Sequence, residues 1–103
     1  MKNINEFFNE EIKQKLFTEA KKDLNPILDE VIADEQWYDE DEASRAETQF
    51  INHSISLVLY DYFIDKPYYL VKIKILNRSN NKLLGKYIFL IDLEFNFIDE
   101  FLV

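Results

Sequence analysis

The sequence predicts an α+β domain, with about three N-terminal helices packed on one face of a four-stranded antiparallel meander. Three observations predict it. Apolar residues recur at helical spacing as far as residue 53. From Ser54 onward, β-branched and aromatic residues alternate with polar ones at strand spacing. The length of 103 residues and the 48% apolar fraction, with nine Phe and six Tyr, supply one core. The chain reads as a single α+β domain, 1–103, with a helical half 1–53 and a β-meander half 54–103.

The elements follow in order. Asn5 can cap a first helix running to about Lys22, because Phe8, Ile12 and Leu16 repeat every fourth position and Phe17 and Ala20 widen the stripe. "DLNPILDEVI" interrupts it. Asn25 suits an N-cap and Pro26 the first helical position, where a missing N–H costs nothing. The second helix would bury Ile27, Leu28, Val31 and Ile32. A third is expected from near Asp41 to about His53, with Ala43, Ala46 and Phe50 inward. "SISLVLYDYFI" then favours a strand, although Ile51, Ile55, Val58 and Tyr62 also suit a helix. "DKP" makes a turn. "YYLVKIKIL" places Tyr69, Val71, Ile73 and Ile75 on one face and Lys72 and Lys74 on the other. "NRSNN" is a loop. "KLLGKYIFLIDL" is a third strand, with Leu83, Tyr87, Phe89 and Ile91 together. Glu94, Phe95 and Asn96 are expected to form a turn in which Asn96 tolerates the left-handed conformation, and a last strand runs from roughly Phe97 to Leu102.

Charge and composition narrow the function. The net charge is −8, and residues 1–53 carry all of it, with 14 acids and 6 bases; residues 54–103 hold 6 of each. Such a field repels phosphate backbones and attracts basic surfaces, so no nucleic-acid partner is expected. There is no cysteine, which excludes disulfides, thiolate metal sites and cysteine nucleophiles. No apolar run is long enough for a signal peptide or a bilayer span. The chain reads as cytoplasmic, with no membrane partner. One glycine cannot build a phosphate-cradling loop, and no Walker, dinucleotide, HExxH or GxSxG motif occurs. No cofactor is expected.

"DEQWYDEDE" is the most distinctive stretch. Asp34, Glu35, Asp39, Glu40, Asp41 and Glu42 surround Trp37 and Tyr38, the first of these being the single tryptophan of the chain. Acids at a helix start explain Asp41 and Glu42. They do not explain the aromatics, which either fold inward over the core or anchor an interface. A calcium loop needs a central glycine and alternating oxygen ligands, and "DEDEASRAETQF" has neither, so no metal is expected. His53, the only histidine, suits a structural position at the helix-to-strand junction better than a general base. Asp61, Asp92, Glu94 and Asp99 lie in or beside strands, where alternation turns most of them to solvent. Tyr60, Tyr62, Tyr68 and Tyr69 surround "DKP", as cross-strand aromatic pairs or as part of an interface.

On size, charge split and "DEQWYDEDE", the chain resembles the small, acidic, cysteine-free immunity proteins of bacterial toxin systems. The resemblance implies a non-enzymatic inhibitor that covers the surface a basic, nuclease-type toxin uses for nucleic acid. Asp34, Glu35, Trp37, Tyr38, Asp39, Glu40, Asp41 and Glu42 would then form the partner-binding set. By element order alone, the chain is also similar to NTF2-like and cystatin-like domains. That alternative implies a tyrosine-lined pocket on an open, concave sheet face, holding His53 or Asp61 and binding a small ligand or catalysing with a buried carboxylate.

Overall fold

The computed structural model describes residues 8–33 and 48–103, and the statements below concern those residues. They form one helix, α1 (Glu10–Ala33), followed by β1 (Thr48–Val58), β2 (Tyr68–Asn77), β3 (Leu83–Asp92) and β4 (Phe97–Leu102). The strands lie in the order β1-β2-β3-β4, each antiparallel to the next. The architecture is therefore α+β, with one helix rather than about three on an antiparallel meander.

Two of the expected helices are corrected. The supposed second helix is the continuation of the first. Pro26 sits inside α1, where it removes one backbone hydrogen bond and crowds the preceding turn, a cost of about 3 kcal/mol. The helix carries on because its buried stripe does: Leu16, Ala20, Leu24 and Leu28, each four residues apart, are all fully buried. Burying a leucine or isoleucine contributes about 1.5–3 kcal/mol, so Leu28 and half-buried Ile27 offset the proline. The Asn25 side chain donates to the Lys21 carbonyl at 2.8 Å, so Asn25 bonds back into the helix from its interior. The cap of α1 is Asn9: its Oδ1 accepts the Ile12 N–H at 2.9 Å, and Glu10 and Glu11 follow in the first turn.

The end of the supposed third helix is strand, because β1 already includes Thr48–His53. The strand interior carries a register shift between Asn52 and Ser54, which makes His53 the extra residue of a bulge. The bulge reverses the parity of the strand. Phe50 pairs with Ile75 before it, Ile55 with Val71 and Leu57 with Tyr69 after it, and all three pack on the same core. Asp41, Ala43, Ala46 and Asn5, with the side chains of Val31 and Ile32, lie outside the described residues.

One sheet face packs on α1. Tyr69, Val71, Ile73 and Ile75 of β2, with Tyr87, Phe89 and Ile91 of β3, form one cluster with the leucine stripe. The opposite face carries no described helix, and the alternation of β2 puts Lys72 and Lys74 there. The β2–β3 turn closes with Asn81 at φ 58°, and the Asn77 and Asn80 side chains accept the Ser79 and Lys82 N–H groups. At the β3–β4 turn the left-handed residue is Phe95, at φ 65°, not Asn96. Its ring lies 6.2 Å from Tyr69, and the Lys15 ammonium stands 4.3 Å from its centroid. A left-handed non-glycine residue costs about 1–3 kcal/mol, which this packing offsets.

Candidate functional site

The eight residues expected to bind a partner, Asp34, Glu35, Trp37, Tyr38, Asp39, Glu40, Asp41 and Glu42, lie outside the described residues. In sequence they connect α1 to β1. Residues 34–47 hold seven carboxylates against one arginine, a net −6, so this connection carries most of the −8 of the chain.

The most conspicuous described surface is the β1–β2 connection. Leu59, Tyr60, Tyr62 and Phe63 are 73%, 82%, 82% and 90% exposed. Apolar residues scattered singly over a surface are ordinary, whereas four large ones within five positions are not. The segment has a fixed shape. Asp61 accepts the Phe63 N–H through Oδ1 and the Tyr68 hydroxyl through Oδ2, both at 2.8 Å. Tyr62 and Phe63 meet edge to face, with centroids 5.0 Å apart. The backbone bond from Phe63, then the bond from Tyr68, hold the Asp61 carboxyl below its ordinary pKa. The same bond raises the phenol of Tyr68, which is itself buried. Asp61 is thus an ionised structural acceptor and does not have the raised pKa that suits a general acid.

Asp92 plays the same part at the next turn. Its Oδ1 accepts the Glu94 and Asn96 N–H groups, and its Oδ2 meets the Lys66 ammonium at 3.0 Å. The bond from Asn96, with Lys66 and Glu94 adding to it, outweighs burial and takes its pKa down to about 2. Asp99 is exposed and accepts the neighbouring Glu100 N–H. Tyr87, fully buried, donates its hydroxyl to the Glu100 carboxylate. Burial first, then this bond, pushes the phenol far above its usual range.

His53 lies within β1 at the bulge, not at a helix-to-strand junction. It borders a cleft of about 290 Å³ with Phe8, Phe17, Lys13 and Ile55. Partial desolvation, followed by the charges of Lys74, Lys86 and Lys72, lowers its pKa. Among the described residues no carboxylate is hydrogen-bonded to it. Tyr69 and Tyr87 lie beneath α1, Tyr68 is buried, and Asp61 belongs to the connection after β1.

The open face shows a pattern that net charge conceals. Lys74 pairs directly with Lys86, and Lys72 follows two residues before Lys74 on the same face. Like charges directly opposite one another are unfavourable. The neutral total of residues 54–103 therefore hides a cationic row on the face remote from α1, which itself carries six carboxylates and four lysines.

No protein-family model, no curated protein and no solved structure matches this chain. Among the described residues, no three His, Asp or Glu side chains form a group fit to hold a metal ion, and no helix is long and apolar enough to cross a membrane. Two features escaped the reading of the sequence. Leu59 and Phe63 looked like ordinary strand residues, and only their exposure distinguishes them. The lysine row needs the β2–β3 register, although the alternation of "VKIKI" already gave two of its three members.

Proposed function

We propose that this chain is a non-enzymatic binding module that neutralises a basic protein, in the manner of the small acidic immunity proteins of bacterial toxin systems. One observation carries the reading: a net charge of −6 is concentrated in residues 34–47, around Trp37 and Tyr38, while residues 54–103 sum to zero. Fourteen residues with that density of carboxylate produce a local field that attracts lysine- and arginine-rich surfaces and repels polyanions.

In this mechanism Asp34, Glu35, Asp39, Glu40, Asp41 and Glu42 steer the encounter. Trp37 and Tyr38 lose water at the interface and hold it, as aromatic anchors do. Association is fast at low ionic strength and slows as salt screens the attraction over about 8–10 Å. A nuclease-type toxin domain fits such an inhibitor because its nucleic-acid surface must itself be basic.

The test begins with capture. The full chain, immobilised and exposed to lysate of its native cell at low salt, is expected to retain a basic protein that elutes as salt rises. The chain carrying Asp39→Lys, Asp41→Lys and Glu42→Lys together is expected to lose it. Retention of the same protein by both chains argues against the electrostatic reading.

A further inference from the structure

We infer that the β1–β2 connection, Leu59 to Phe63, is a preformed apolar plug that enters a concave, basic-rimmed cleft on a partner protein. Four observations lead there. The side chains of Leu59, Tyr60, Tyr62 and Phe63 project into solvent, so a hollow on a partner can enclose them. The shape is set before binding, by Asp61 holding the Phe63 N–H and the Tyr68 hydroxyl and by the packing of Tyr62 on Phe63. A pre-ordered segment loses little further freedom on docking, which favours affinity. Tyrosine and phenylalanine are also the residues that interface centres concentrate.

Charge identifies the occupant. Between Leu59 and Pro67 the acids are Asp61 and Asp65 and the one base is Lys66, whose ammonium is engaged by Asp92. The plug thus presents apolar rings flanked by carboxylate, and its complement is an apolar floor with lysine or arginine around the mouth. Plug-to-plug pairing of two copies is a poor fit, because it sets Asp61 and Asp65 against their equivalents on molecules that each carry −8. An anionic bilayer is a poor fit for the same reason, since membrane-surface segments need cationic residues beside their apolar ones. The inference gives the chain a contact surface in addition to residues 34–42. That one partner meets both surfaces rests on the reading of the previous section.

The experiment places a photo-crosslinking benzoylphenylalanine at position 63 of the full chain in its native cell, with the same group at Ser79 in the exposed β2–β3 turn as control. Position 63 is expected to capture a protein that position 79 does not, with the crosslink mapping to a hollow rimmed by basic residues. That protein is then purified and its affinity measured for the wild-type chain and for the variant carrying Tyr62→Ala and Phe63→Ala. Both side chains are exposed, so the variant keeps its unfolding midpoint, and its affinity is expected to fall at least about thirtyfold. Asp61→Ala, which frees the segment without shortening an aromatic, is expected to weaken binding as well. Crosslinking only to a second copy or only to lipid, equal capture from both positions, no capture, or unchanged affinity of the double variant would each overturn the inference. Charge reversal at residues 39, 41 and 42 separates it from the electrostatic reading. Slower association of the reversed chain with full affinity of the double variant removes the plug and keeps the steering. The opposite pair of results does the reverse.

Discussion

Asp92 spends its carboxylate on three donors at the β3–β4 turn, and the consequence is visible in acid. Its pKa is depressed in the fold to about 2, against about 3.9 in an unfolded chain. The stabilisation it gives is complete above the unfolded value and is lost as pH falls through the folded one. Urea unfolding midpoints are therefore expected to drop between about pH 4 and pH 2, and the drop should be smaller in Asp92→Asn. Tyr87 works in the opposite direction. Its phenol is raised in the fold, so its contribution is complete below about pH 10 and declines above that, where only the unfolded chain ionises readily. Tyr87→Phe removes the bond to Glu100 and is expected to cost about 1–2 kcal/mol near neutrality, measured by urea unfolding. Neither role was readable from the sequence. Asp92 looked like one more strand carboxylate, and the partner of Tyr87 lies 13 residues away across a strand pair. Phe95 shows the same limit: nothing local favours a left-handed phenylalanine, and its conformation depends on Tyr69 and Lys15, both distant in sequence.

At the scale of elements, α1 and β1 depart from their local signals for identifiable reasons. "LNPIL" carries the signature of a helix start, yet the leucine stripe runs through it and burial overrides the proline. Pro26→Ala is accordingly expected to stabilise the protein by up to about 3 kcal/mol, since it restores an interior hydrogen bond. Had Pro26 opened a separate helix, the change would be close to neutral. Leu24→Ala, in the middle of the stripe, is expected to cost about 2–5 kcal/mol. Thermal unfolding of both variants checks the pair. In β1 the helical reading of residues 48–53 failed because the bulge at His53 breaks the alternation by which a strand is recognised. Phe50 and Ile55 are five apart, an odd spacing that an unbroken strand would send to opposite faces. β2 has no such interruption along the run from Tyr69 to Ile75, and there the faces followed directly from the alternation.

Along the chain, the acid-rich connection, the aromatic plug and the lysine row are three distinct features, the first of them known from its sequence. The first was visible in the sequence because charge density is a local property. The second required exposure and the third required register, which only the folded sheet supplies. A binding module with an electrostatic steering region and an apolar anchor divides its work in a known way: charge governs the association rate, and desolvated aromatics govern how long the complex lasts. Reversing Asp39, Asp41 and Glu42 should thus act mainly on association, and removing Tyr62 and Phe63 mainly on dissociation. The measurement that bears most directly on the account is the association rate with the captured basic protein, followed by stopped flow over a series of salt concentrations. The wild-type chain should associate at least about ten times faster than the charge-reversed chain at low salt, with the two rates converging as salt rises. Equal rates at low salt would contradict it.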